Sequence, residues 1–224
     1  MVTRLYLSST VVADVSPPFN LDSTWNEVDN ADRRKCDTSK SSSVMTNKAE
    51  AKANTANVRQ LVRQYVSRAL DGAQTISGTV KGTIRVLESA ANDNIDKVSM
   101  KLIVVSNDGQ TLRGTLLTIG DYGPTNEWAT SLTARRIADG DTIGTVNALN
   151  GDRIVIELGF NNTTAGTTIT GTENFGDNSV TDLGDNETDT AANNPFVELS
   201  ATLTFQAPPA GPPVGTLALL GVGR

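Results

Sequence analysis

The sequence predicts an all-β fold: an antiparallel β-sandwich, a jelly roll within that class, ending in a Pro-rich C-terminal arm. Three observations carry this. Apolar and polar residues alternate along most of the chain, the period-two pattern of half-buried strands. Turn chemistry separates the runs, at "NDG" 107–109, "DG" 139–140, "NG" 150–151 and "GDN" 176–178, where tight connections want Asn, Asp and Gly. The composition is 38% hydrophobic and 20% charged, which suits a chain with a real core rather than a disordered one. The 224 residues divide into one β-sandwich domain over 1–206 and an arm over 207–224.

Taken in order, "TRLYL" (3–7) opens the chain as a short strand. The stretch from 44 to 70 is ambiguous. Val58, Leu61, Val62, Tyr65 and Val66 sit at helical spacing, and Ala and Lys are good helix formers. "RQLVRQYVS" also reads as a strand with Leu61 and Tyr65 on one face. We expect a strand over about 60–68, after a loop rich in Ser, Asn and Ala with room for a short helix near 47–54. "QTISGTVKGTIRVLES" puts Ile76, Val80, Ile84 and Val86 on one face, a long half-buried strand or a pair broken near Gly78 and Gly82. "VSMKLIVVS", "QTLRGTLL" (110–117), "RIVIELGF" and "TITGTENF" (168–175) continue the pattern. "FVELSATLTF" closes it, with Val197, Leu199, Ala201, Leu203 and Phe205 inward. Trp25 reads as core, and "DRRK" (32–35) as a solvated turn or an edge for a neighbouring subunit.

Composition also excludes. Nineteen basic against twenty-five acidic residues leave a net charge of -6, which argues against nucleic-acid binding. The start, "MVTRLYLSSTVVADVSPPF", shows no apolar h-region after a basic n-region and so no cleaved secretion signal. The single cysteine, Cys36, rules out an intrachain disulfide. Beside Arg33, Arg34 and Lys35, and with no histidine in the chain to act as its base, it reads as a spectator thiol at the surface. Without histidine the usual triads and most zinc sites are also unavailable. No feature picks out a carboxylate pair for glycoside hydrolysis. The chain therefore reads as no enzyme.

Three stretches remain as candidate sites. The loop 175–195, "FGDNSVTDLGDNETDTAANNP", concentrates carboxylates. Asp185, Glu187 and Asp189 are its candidate ligands for a structural calcium, although the EF-hand spacing is missing and a solvated loop is the plainer reading. No other cofactor is expected. "GDYGPTNEW" (120–128) gathers Tyr122 and Trp128, which suits either stacking on a sugar or plugging the end of a sandwich. The tail "APPAGPPVGTLALLGVGR" (207–224) joins an extended Pro-rich stalk to an apolar run. The run from Val214 to Val222 is shorter than the roughly 20 residues of a membrane span. Val214, Leu217, Leu219, Leu220 and Val222 are expected to dock on a partner, since leaving them in water costs about 25 cal/mol per Å².

Several stretches together, "TRLYL", "AQTISGTVKGTIR", "VVSNDGQTLRGTLL", "EWATSLTARR", "GDRIVIELG" and "NFGDNSVTDLGDNETDTAANNPFVE", resemble β-rich, jelly-roll-like virion proteins of tailed bacteriophages. The likeness spans roughly residues 3 to 205 and carries no catalytic motif. It implies a non-enzymatic structural protein of the particle, a capsid decoration (cement) protein or a tail or fibre component. It further implies assembly in the host cytoplasm, residence in the virion, and contacts with other copies of itself and other virion proteins as a homo-oligomer. The alternative is a carbohydrate-binding module on a phage fibre or bacterial surface, contacting glycans through Tyr122 and Trp128.

Overall fold

The alternation builds strands. The computed structural model describes residues 2–22, 25–40, 44–124, 126–165, 169–176 and 179–208, which contain eleven strands and no helix. They are β1 Thr3–Val12, β2 Asp32–Asp37, β3 Thr46–Lys52, β4 Gln60–Val66, β5 Gln74–Glu88, β6 Lys97–Val105, β7 Leu112–Tyr122, β8 Thr133–Ala148, β9 Arg153–Asn161, β10 Ile169–Phe175 and β11 Phe196–Leu199. Ten lie in the order β3-β10-β5-β11-β1-β2-β4-β9-β6-β7, and β8 pairs with β5 outside that path. The pairings are antiparallel except β2 with β4. The long strand β5 serves two neighbours along one edge, β11 at Val80–Thr83 and β10 at Arg85–Glu88, while β8 runs along the other.

The sheet curls until β7 meets β8. A Cβ on Gly144 of β8 would lie 2.8 Å from the Thr115 carbonyl of β7, so glycine is what admits this approach. One apolar core fills the curl, drawing Leu5, Leu7, Tyr65, Ile84, Met100, Leu158 and Phe160 from five strands. Tyr65 meets Phe175 edge-on with centroids 5.4 Å apart, and Trp128 meets Phe160 at 5.8 Å, arrangements that aromatic quadrupoles favour. β4, β9 and β6 are buried on both faces. Their outer face carries Val66, Ile103, Val105 and Val155 under Ala13, Val15 and Leu21 of the β1–β2 connection. Beside these apolar residues lies a buried polar network. Lys101 and Glu157 pair at 2.8 Å, 1% and 0% exposed. Glu157 accepts from Trp25 Nε1 at 2.6 Å and Gln64 Nε2 at 2.8 Å, and Lys101 donates to the Phe19 carbonyl at 3.1 Å.

Several elements differ from expectation. Residues 47–54 hold no helix, because Thr46–Lys52 pairs with β10 over its full length. The ladder outweighs a weak helix propensity. "DRRK" is neither turn nor edge but part of β2, between β1 and β4. "DG" at 139–140 does not end a strand. Gly140 takes φ 85° inside β8, where Val80 faces Asp141 and Lys81 faces Asp139, a bulge that keeps both halves on one ladder. "FVELSATLTF" is regular only to Leu199, with Phe205 in an isolated bridge to Leu70. The strand expected near 60–68 is present as β4, and Trp25 is core.

Cys36 corrects the expectation of a surface thiol. It lies opposite Leu7 in the β1–β2 ladder and is fully buried in the main core. Its charged sequence neighbours alternate away from it, and burial raises the thiol's pKa. Cys36→Ser, which a surface position would tolerate within about 0.5 kcal/mol, should instead cost about 1–3 kcal/mol by placing a hydroxyl among apolar side chains. Thermal melts should show a drop of several degrees, with Cys36→Ala less affected than a polar replacement of this size would be. An unchanged melting temperature for Cys36→Ser would place the thiol elsewhere.

Candidate functional site

β1 sits mid-sheet, and its alternation divides its side chains. Leu5 and Leu7 enter the core, so Arg4, Tyr6 and Ser8 share the opposite face. There β11 sets Glu198 opposite Arg4, and β2 sets Asp37 opposite Tyr6. The loop before β11 adds Asp182, which binds Arg4, pairs with Lys40 at 2.6 Å and accepts from the Tyr6 hydroxyl at 3.3 Å. Arg4 also donates through Nε to Glu198 at 2.9 Å and lies 4.0 Å over the Phe196 ring. Arg68 pairs with Asp37 at 2.9 Å.

Around this network the surface forms a groove. One recess of about 350 Å³ is lined by Tyr6, Ser8, Val11, Lys35, Asp37, Ser39 and Lys40. A second, of about 590 Å³, is lined by Val2, Arg4, Tyr6, Arg68, Leu203 and Phe205 among others. Tyr6 is common to both. Burial, then the nearby Asp182 carboxylate, pushes the Tyr6 phenol above its usual range. Burial works against the Asp182 carboxylate itself, but hydrogen bonds from Lys40 and Arg4 outweigh it and hold the group below the usual carboxylate range. Tyr6, Ser8 and Ser39 supply hydroxyls, yet no imidazole exists in the chain to activate one.

Two buried carboxyls stand apart from the groove. Glu173 of β10 is fully buried, neither of its oxygens has a hydrogen-bond partner among the described residues, and burial pushes it up to about 8. Glu88, at the end of β5, is pushed up to about 7 by burial although it accepts from the Ile95 amide at 3.2 Å.

The candidates read from sequence fall elsewhere. Asp185 pairs with Arg136 at 3.2 Å, Glu187 with Arg135 at 3.1 Å, and Asp189 accepts from the Ala191 amide at 2.8 Å. These carboxylates are directed at arginines and backbone, so they anchor the loop to β8 rather than converge on one point. Glu187, Arg136, Asp139 and Asp141 border a separate recess of about 420 Å³. Trp128 is 2% exposed against Phe160 and offers no face to a sugar. Tyr122 packs on the core and donates to the Thr118 carbonyl at 3.0 Å. Val214, Leu217, Leu219, Leu220 and Val222 lie outside the described residues, as does Asp177. The alternation in "TRLYL" places Arg4 and Tyr6 on one face, but nothing local announces Asp182 as their partner.

No family model matches the sequence, and no curated protein matches it. Solved structures do match the fold. An α-amino acid ester hydrolase labelled with selenomethionine matches with a TM-score of 0.50 at 9% identity, over 89% of this chain and 36% of that one. A CocE/NonD family hydrolase from Staphylococcus aureus matches with a TM-score of 0.48 at 8% identity, over 90% and 36%. The chain thus spans about a third of the length of these structures. At such identity the likeness is one of fold. It corrects the expectation of a non-enzymatic virion structural protein, together with its carbohydrate-binding alternative and the reading of the chain as no enzyme. The virion reading rested on a resemblance of short stretches and the non-enzyme reading on a missing catalytic motif, whereas a comparable sheet is part of an ester hydrolase.

Proposed function

We propose that this chain is the β domain of a hydrolase and works with a second protein segment that supplies the reacting groups. One observation carries the reading: 89% of the chain matches 36% of an α-amino acid ester hydrolase. The absence of histidine from the sequence then decides the division of labour, because a Ser-His-Asp triad cannot be assembled from this chain alone. In this reading the curled sheet closes as a sandwich of the jelly-roll kind, rigid enough to hold a binding wall in register. The groove beside β1 and β2 is that wall. Its hydroxyls and paired charges position an ester or amide substrate, while the second segment supplies nucleophile and base.

The test uses the chain purified in its native state from the cells that make it, assayed against α-amino acid esters and labelled with a serine-directed fluorophosphonate. Ester turnover should accompany the native material, the label should fall on a histidine-bearing segment outside residues 1–224, and Tyr6→Ala should raise KM more than it lowers kcat. No turnover in native material overturns the hydrolase reading. Turnover by the recombinant chain alone overturns the requirement for a second segment.

A further inference from the structure

We propose that a small recess at the end of the groove, between Lys35 and Arg153, binds the carboxylate of an anionic ligand; the inference stands on that recess and not on the hydrolase reading. Alternation decides which side chains reach it. Cys36 enters the core, so Lys35 emerges on the outer face, opposite Val66 in the β2–β4 ladder. Arg153 opens β9 opposite Val105 and emerges on the same face. Val66 and Val105 lie there under Ala13 and Val15 of the β1–β2 connection, and Asp14 stands between those two. Lys35, Arg68, Arg153 and Asp14 line a recess of about 80 Å³, and Lys35 also lines the recess of about 350 Å³ beside Tyr6. At about 30 Å³ for each water, the smaller space suits one polar group and the larger one the body that carries it.

Charge pairing singles this recess out. Elsewhere in the groove the cations are engaged: Asp182 binds Arg4 and holds Lys40 at 2.6 Å, and Asp37 holds Arg68 at 2.9 Å. Lys35 has no such partner. Its side chain is 18% exposed, its ammonium lies 3.9 Å from Asp14 Oδ2, and it donates no hydrogen bond among the described residues. Arg153 reaches the same oxygen at 3.5 Å, with Nε and Nη1 otherwise given to the carbonyls of Asn107 and Ser67. Charge-assisted hydrogen bonds close to about 2.7–2.9 Å, so one oxygen at 3.5 and 3.9 Å satisfies neither cation. Asp14 is itself half-exposed, and displacing so loose a surface pair costs little. Two cations against one carboxylate leave an excess of one positive charge, in a chain whose net charge is -6. A monoanionic carboxylate matches that excess, whereas a doubly charged phosphate overshoots it.

The experiment titrates the isotope-labelled full chain with N-acetylglycine, with its uncharged methyl ester and with inorganic phosphate, following backbone amide shifts by NMR. N-acetylglycine should shift the amides of Asp14, Lys35 and Arg153 saturably, with a Kd in the millimolar range that weakens as salt rises. The methyl ester should leave them unmoved. Lys35→Met should weaken binding about tenfold. Asp14→Asn, which removes the competing carboxylate from a half-exposed position, should tighten it several-fold, and this arm remains informative if Lys35→Met fails to fold. No saturable shift, equal binding of acid and ester, or an Asp14→Asn variant that binds no tighter overturns the proposal. Tighter binding of phosphate than of N-acetylglycine also overturns it and assigns the recess to phosphate. None of these titrations involves ester turnover, so failure here leaves the hydrolase reading to its own test.

Discussion

Glu173→Gln should abolish most of the stability loss that the protein suffers between about pH 5 and pH 9, raising its melting temperature at pH 9 by roughly 10 °C. Along β10, Ile169, Gly171, Glu173 and Phe175 fall on the face turned toward the core, and Ile169 and Phe175 are core members. Glu173 is therefore a carboxyl where the pattern asks for an apolar residue. Lys48 lies opposite it on β3, with Glu50 two residues further on opposite Gly171. Lys48 pairs with Glu50 at 2.6 Å. From β4 the charged neighbour is Arg63, which is engaged by Asp32 at 2.6 Å and lies 4.8 Å over Phe175, and Tyr65 stands beside it. Burial dominates and pushes Glu173 up to about 8; the pull of Arg63 lowers it and the charge on Glu50 raises it.

The sign follows from proton linkage. Below about pH 4.5 the group is protonated in both folded and unfolded chains. Between there and about 8 the unfolded chain gives up its proton first, so stability falls as pH rises, and it levels off once the folded state ionises. The accumulated loss is about 3–5 kcal/mol, taking 1.36 kcal/mol per unit and allowing for relaxation around the charge. Glu88, pushed up to about 7, adds a smaller loss of the same sign. Gln keeps the shape and cannot ionise. Thermal melts of both proteins from pH 5 to pH 9 should diverge toward the alkaline end with Glu173→Gln above; parallel curves would show that Glu173 is already ionised or solvated.

Lys101→Met should lower stability by about 3–5 kcal/mol, since it leaves Glu157 buried without its cation. In a chain of this size that is a fall in melting temperature of roughly 10 °C. Trp25 and Gln64 still donate to Glu157, but two neutral donors do not replace an ammonium at 2.8 Å. Adding Glu157→Leu should recover part of the loss, because replacing both partners by apolar groups removes the stranded charge. Recovery is incomplete, as Trp25 and Gln64 then lose their acceptor. A double-mutant cycle by urea denaturation measures the coupling, and a single-variant cost below about 1 kcal/mol would show that the pair does not hold the β1–β2 connection to the sheet.

The strand class and most strand positions are legible in the sequence alone. In "TRLYL", "QTISGTVKGTIRVL" and "TITGTENF" the alternation is local, because side chains on a pleated strand must choose between core and solvent within two residues. The turns at "NDG" and "NG" were legible for the same reason: Gly109 and Gly151 adopt φ of 76° and 88°, and glycine accepts that wherever it sits. Tertiary structure decided what no local pattern encodes. A "DG" inside β8 is a bulge rather than a turn because β5 runs alongside on both sides of it. Cys36 is buried because β1 lies opposite β2, and "NKAEAK" is a strand because β10 offers it a full ladder. The groove is the extreme case. Arg4 and Asp182 stand 178 residues apart in the chain, and their meeting depends on the strand order that sets β1 beside β11. Glu173 makes the same point in reverse, since its position on β10 is readable but its isolation depends on which side chains the curl brings around it. Burial and charge pairing are properties of neighbours, and in a sheet the neighbours come from distant sequence.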